Sequence, residues 1–220
     1  MCVTDGEEFS VKKEDVDLLV QYLDFRQKEL VRVTGLLRNE KQAIKFCKKL
    51  GVTVGTTRTH NQSHHQSSKA LVAAVTAIAE SVCNDSGATF NLNPQTRCVW
   101  CMKKGLHVTA RNLDGAIPAL ENPSIIWEIK EYWGVTSGGS KMSDAVYEAH
   151  LVGSELREFE RSTGIKVLHV IFLDGLKQWS VRKSDLLRFI DLTSQGFVDH
   201  LLIGREVETE WANILVSLLK

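Results

Sequence analysis

Asp114, Glu128 and Lys130 are residues whose types and spacing can do chemistry together. Glu128 and Lys130 stand one residue apart in "SIIWEIKEYWG", residues 124–134. The stretch is rich in Ile and Trp and reads as a buried strand. Alternation places the carboxylate and the ammonium on one face and Ile129 on the other. An exposed ion pair on an edge strand would account for these two alone. Asp114 lies fourteen residues before Glu128, in "RNLDGAIP". There it ends an expected strand and precedes Gly115, which relaxes the turn. If the two strands pair through "GAIPALENP", Asp114 and Glu128 meet at one end of a sheet. Two carboxylates that close repel, and a divalent cation between them removes the repulsion. Hard oxygen ligands suit magnesium. A Lys beside them can orient or deprotonate water, or offset charge in a phosphorane-like transition state. Together the three fit metal-assisted hydrolysis of a phosphodiester.

The elements that must position these residues are legible in outline. Residues 10–50 read as helical, with Val16, Leu19, Val20, Leu23 and Leu30 near helical spacing and Gly51 as a stop. The polar stretch "VTVGTTRTHNQSHHQSS" follows as a loop. "KALVAAVTAIAESVC" is small and apolar on most faces, a helix buried against a sheet. Strands are expected at "TRCVWCM", "LHVTARNL" and "SIIWEIKEYW". The next helix carries one apolar stripe of Met142, Val146, Ala149, Val152, Leu156 and Phe159, and Gly164 stops it. "IKVLHVIFLDG" is a near-continuous apolar strand of the kind buried on both faces. "KSDLLRFIDLTSQG" is a second amphipathic helix, "VDHLLIGREVE" a late strand and "EWANILVSLLK" a last helix. The order helix, three strands, helix, strand predicts an α/β fold with a mixed central sheet flanked by helices. The late strand–helix–strand pair is expected to be a right-handed crossover.

Composition sets bounds on this picture. With 220 residues, 43% hydrophobic and 25% charged, the chain has the make-up of a soluble globular protein with a real core. No run of 18 or more apolar residues predicts a membrane span. The start "MCVTDGEEFSVKKEDVD" is acidic and polar, unlike a signal peptide, so a cytoplasmic location is expected. Cys2, Cys47, Cys83, Cys98 and Cys101 are odd in number and scattered, which favours reduced thiols. Cys98 and Cys101 form a C-x-x-C without a second pair of ligands, and we read them as small apolar residues. Net charge is zero but uneven. Residues 51–113 hold six Lys and Arg (Arg58, Lys69, Arg97, Lys103, Lys104, Arg111) against Glu80 and Asp85. That segment can face a polyanion, or be a plain solvated surface.

Asp114 followed by Glu128-Ile129-Lys130, within that order of elements, resembles the PD-(D/E)xK nuclease superfamily over about residues 69–175. The chain length and single compact unit resemble a type II restriction endonuclease in particular. Leu113 stands where the motif has Pro. The resemblance implies a restriction-endonuclease-like core, αβββαβ. It implies Mg2+ held by Asp114, Glu128 and the Ile129 carbonyl, and an attacking water positioned by Lys130. The products would carry a 5′-phosphate and a 3′-hydroxyl. Some members add a Glu from the helix before the strands; here that is Glu80, for which a helix-surface carboxylate is the other reading. The substrate would be double-stranded DNA, cut by a homodimer whose two-fold axis matches a palindromic site. A repair or junction-resolving nuclease of the same fold, or a catalytically silent DNA-binding module, are the alternatives.

Further residues are candidates for DNA contact. Arg58, Asn61 and Gln62 lie in the polar loop, and their types read guanine and adenine edges in the major groove. Lys103 and Lys104 belong to the basic segment. Ser140 and Lys141 follow a Gly-rich stretch into a helix start, which suits phosphate, or is a plain linker. Residues 1–50 are expected as a helical region for dimerisation or DNA docking, and residues 51–220 as the nuclease domain.

Overall fold

The computed structural model describes residues 12–56, 67–103, 105–134 and 140–219, with Ser140 by its backbone alone, and the backbone of two short strands before them. Those strands, β1 (Cys2–Thr4) and β2 (Glu7–Phe9), pair antiparallel. Two helices follow, α1 (Lys13–Leu36) and α2 (Glu40–Lys49). Asn39 starts α2 through a reciprocal pair of hydrogen bonds. Its side chain accepts from the Gln42 amide, and the Gln42 side chain accepts from the Asn39 amide, each at 2.9 Å. Then come α3 (Ala70–Ser86), β3 (Asn91–Thr96), β4 (Val99–Met102), β5 (Gly105–Val108), β6 (Leu113–Ile117), β7 (Ile125–Glu131), α4 (Ser140–Thr163) and β8 (Leu168–Asp174). The chain closes with α5 (Leu176–Trp179), α6 (Lys183–Ser194), β9 (His200–Ile203), α7 (Glu206–Thr209) and α8 (Trp211–Leu218).

Five strands make a mixed sheet in the order β3-β6-β7-β8-β9. Pairing is antiparallel from β3 to β7 and parallel from β7 to β9. Strand β7 is therefore the seam between the two halves. On one face, Ile125, Trp127, Val170 and Phe172 pack with Ala74 and Val75 of α3, Ala43 and Cys47 of α2, and Trp211 of α8. On the other face, Ile126 meets Val152, Leu156 and Phe159 of α4. Beside it, Ile171 and Leu173 meet Met142 and Val146 of α4 and Phe189 of α6. The result is an α/β fold with a central mixed sheet between helical layers. The α4 stripe expected from spacing is buried throughout, and β8 is buried on both faces as its apolar run requires. No helix among the described residues is long and apolar enough to cross a membrane.

Three expectations about local structure are corrected. "TRCVWCM" and "LHVTARNL" supply β4 and β5, which pair with each other as a two-stranded ribbon separate from the central sheet. Trp100 explains the diversion: it is buried against His107 and Phe159, 5.5 and 5.2 Å between ring centroids, so the ribbon leans on α4. The first two strands of the central sheet are β3 and β6 instead. Second, Asp114 does not end a strand but is the second residue of β6, which runs on to Ile117. Third, Gly115 does not serve a turn. It lies opposite Trp127, and a Cβ there would overlap indole atoms Cε2 and Cζ2.

The division expected at residue 50 does not divide the core. Ala43 and Cys47 share one cluster with α3 and the sheet, while Leu30, Val33 and Leu37 share another with α4 and α6. Arg38, between α1 and α2, is fully buried with Asp174 at the end of β8, Nε to Oδ2 2.7 Å. The first half of α1 is different. Its Val16, Leu18, Leu19, Val20 and Leu23 are exposed, Leu18 by 66%.

Candidate functional site

The ladder between β6 and β7 sets Gly115 opposite Trp127, Ala116 opposite Ile126 and Ile117 opposite Ile125. One step further along, Asp114 takes over from the backbone. Its Oδ2 accepts the Ile129 amide at 2.7 Å, and its Oδ1 accepts from the Gln95 side chain. In a strand the amide and carbonyl of one residue point to the same side, so the Ile129 carbonyl also faces Asp114. Gln95 comes from β3, where Asn93 and Gln95 both have left-handed backbone (φ 53° and 51°) within a register shift. Such conformations are costly for residues with a Cβ and concentrate at functional positions.

Glu128 and Lys130 share the α4 face of β7, as alternation requires. Glu128 is 2% exposed, and both its oxygens are engaged. Oε2 lies 2.9 Å from Lys130 Nζ, and Oε1 lies 3.3 Å from His169 Nε2 on neighbouring β8. His169 Nδ1 donates to the Phe197 carbonyl at 3.0 Å, so oxygens flank the ring on both sides. Lys130 Nζ also lies 2.8 Å from Glu148 Oε2 on α4. Arg111, just before β6, holds the other oxygen of Glu148. The site is thus a chain of alternating charge, Arg111–Glu148–Lys130–Glu128, that ends on the His169 imidazole, with Asp114 beside it.

Burial acts to raise the Glu128 carboxyl, but Lys130 and His169 outweigh it and hold the group down at about 2. Burial likewise acts to lower Lys130, and Glu128 with Glu148 overcomes it, so its pKa stands above the ordinary Lys value. Asp114 moves the other way. Burial raises it above the ordinary Asp range, Glu128 adds to the rise, and the Ile129 amide, Gln95 and Lys130 oppose it. Glu128 therefore weakens the ionisation of Asp114, a repulsion that a cation between them relieves.

The donor set suits magnesium in kind. Two carboxylates and a backbone carbonyl are hard oxygen donors, and magnesium commonly takes one or two carboxylates and keeps several waters. Among the described residues, no group of three or more His, Cys, Asp or Glu side chains is arranged to hold a metal ion, so an all-side-chain cage is not what these residues offer.

The remaining expected residues lie elsewhere. Glu80 is exposed on α3, which covers the opposite face of the sheet, and it lines a depression of about 300 Å3 with Lys69, Thr76 and Asn93. It is not brought to Asp114 and Glu128. Lys103 is exposed at the tip of the β4–β5 ribbon, and Lys141 is exposed in the first turn of α4. Arg58, Asn61, Gln62 and Lys104, and the side chain of Ser140, lie outside the described residues. The four described cysteines are free thiols, with Cys98 buried and Cys101 exposed.

Sequence reasoning missed Gln95, His169 and Glu148. None sits in a local pattern, and each reaches the site across a different element. It also missed Glu131, on the other face of β7. There its carboxylate accepts the Leu71 amide in the first turn of α3 at 2.8 Å, and burial pushes it up to about 7.

Residues 37–218 match a family model described as a domain of unknown function, DUF7687, and the chain belongs to that family. No curated protein and no solved structure matches the chain.

Proposed function

We propose that this member of the DUF7687 family is a magnesium-dependent DNA endonuclease with a restriction-endonuclease-like core, acting as a type II restriction enzyme on double-stranded DNA. One observation carries the reading. Asp114 and the Glu128–Lys130 pair come from adjacent antiparallel strands to one spot, with Asp114 bonded to the amide of the residue between Glu128 and Lys130. The element order α3, β3, β6, β7, α4, β8 supports it, because it is the order the resemblance implies once the β4–β5 ribbon is set aside as an insertion.

In this reading Asp114, Glu128 and the Ile129 carbonyl hold Mg2+. Magnesium bound there supplies positive charge that polarises the phosphodiester and acidifies bound water. Lys130 keeps its proton and orients the attacking water through Nζ. Asp114 and Glu128 stay fixed by Gln95, the Ile129 amide and His169, so the site is organised before substrate arrives. Homodimerisation follows from the cutting of two strands at a palindrome. The exposed apolar residues in the first half of α1 support a second copy docking there.

The test is digestion of unmethylated phage DNA by purified protein, with and without magnesium, beside Glu128→Ala. Discrete fragments that need magnesium and vanish in the variant are expected, with 5′-phosphate ends. Cleavage confined to branched DNA would move the reading to a junction-resolving nuclease. If duplex and branched substrates both stay whole, the proposal fails.

A further inference from the structure

We infer that Glu148 of α4 is a positioning residue of this site: it shares the Lys130 ammonium with Glu128 and so weakens the competition of that ammonium with a divalent cation for Glu128. The inference rests on the reading of Asp114, Glu128 and Lys130 as a magnesium site.

The geometry of one ammonium carries it. Lys130 Nζ stands 2.9 Å from Glu128 Oε2 and 2.8 Å from Glu148 Oε2, so its charge is divided between two carboxylates. A Lys one residue from a metal-ligating Glu, on the same strand face, has a built-in conflict. Its charge competes with the cation for the same oxygen. A second carboxylate at nearly equal distance weakens that competition without removing the ammonium from the site.

Glu148 is placed to do this and is held there. It comes from the helix that crosses the sheet, not from β7, so its position is independent of the strand's own geometry. Arg111 occupies its other oxygen, fixing the carboxylate from the side away from Lys130. The side chains also differ in burial, 24% exposed for Glu148 against 3% for Glu128. Glu148 thus offers Lys130 a better-solvated partner. It joins the site from the helix after the strands, whereas Glu80, on the helix before them, does not reach it.

The experiment is calorimetric titration of Mn2+ into the full-length protein without DNA. The proteins are wild type, Glu148→Gln, Glu148→Asp, Lys130→Met and Lys130→Met with Glu148→Gln. Thermal melts of each check folding. Glu148→Gln is expected to weaken Mn2+ binding about tenfold, a usual size for coupled charges in contact. Glu148→Asp is expected to recover part of the loss, and it carries the test should Glu148→Gln fold poorly. With Lys130 already replaced, the Glu148→Gln effect is expected to shrink to about twofold or less, because the residue acts through Lys130. In cleavage assays Glu148→Gln is expected to raise the magnesium requirement and leave KM for duplex unchanged. An equal loss of Mn2+ affinity in both backgrounds, or no loss in either, overturns the inference while leaving the magnesium site standing. A wild type that binds no Mn2+ overturns both.

Discussion

Gly115→Ala is the sharpest test of the packing beneath the site. The Cβ added at Gly115 would overlap indole atoms of Trp127 and come within 2.5 Å of its Nε1. Trp127 has nowhere to retreat. It is fully buried, edge-on to Trp211 at 5.6 Å between ring centroids, and Trp211 in turn stands edge-on to Phe172 at 4.9 Å. The strain must therefore be taken up by β6 moving away from β7. Overpacking of a tight core costs about 1–3 kcal/mol and occasionally more, and this overlap with a rigid ring belongs at about 3 kcal/mol. For a chain of this size that lowers the melting temperature by roughly 6–12 °C. Trp127→Leu alone costs a similar amount, about 3 kcal/mol, through the cavity it leaves. The double variant is the decisive one. With the ring gone the Ala methyl has space, so the double variant should be little less stable than Trp127→Leu. Urea unfolding followed by circular dichroism gives all four stabilities. Additive losses would refute the reasoning, since they would mean that the methyl and the indole do not compete for one space. The catalytic consequence is separate. Asp114 and Glu128 are the chain neighbours of Gly115 and Trp127, so Gly115→Ala should lose magnesium-dependent cleavage at temperatures where it is still folded.

Lys130→Ala should lower cleavage by about a hundredfold or more, the scale of losing one preorganised donor at the reacting group, while gel-shift binding of duplex persists; parental cutting rates would remove Lys130 from the mechanism. In metal-free protein, Glu131→Gln tests the buried carboxyl whose pKa is raised from 4.5 to about 7. An acid with a raised folded pKa opposes folding once ionised, so the penalty is absent below about pH 4.5, grows through the interval and is full above about pH 7. The variant should match wild type near pH 4 and exceed it at pH 8 by up to about 3 kcal/mol in urea unfolding; a pH-independent difference would contradict this. Arg38→Ala leaves Asp174 buried without its partner and should cost about 3–5 kcal/mol, whereas replacing both by apolar residues should recover most of that loss.

What could be read from residue order depended on range. The α4 stripe and the β8 run declare themselves because every member is a neighbour at period 3.6 or lies in one continuous apolar stretch. Asp114 and Glu128 were legible as a pair because a short hairpin joins them. Strand β3 was hidden by its own chemistry. Asn93 and Pro94 are turn-forming types, and Asn93 and Gln95 adopt left-handed backbone inside the strand. The β4–β5 ribbon was legible as strands but not as a separate sheet, because its placement depends on Trp100 meeting Phe159 of α4. His169 and Glu148 lie 41 and 18 residues from the side chains they hold, and a lone His or Glu carries no local mark of such a role. The apolar spacing of α1 was legible, but its exposure was not, since spacing tells which residues share a face and not whether anything covers it.

The seam at β7 also sets an order of assembly. The Asp114 contact with Ile129 spans 15 residues, while the Glu128 contact with His169 spans 41 and needs all of α4 in place. Short-range closure is the faster event, because it loses less chain entropy. On the way to the native state the hairpin therefore brings Asp114 and Glu128 together with Lys130 alone to offset them, and the imidazole arrives with the parallel half. Like-charge repulsion is then expected to add to the refolding barrier. Mild acid or a divalent cation, by quieting two carboxylates in the early hairpin, should lengthen its lifetime and hasten the docking of β8.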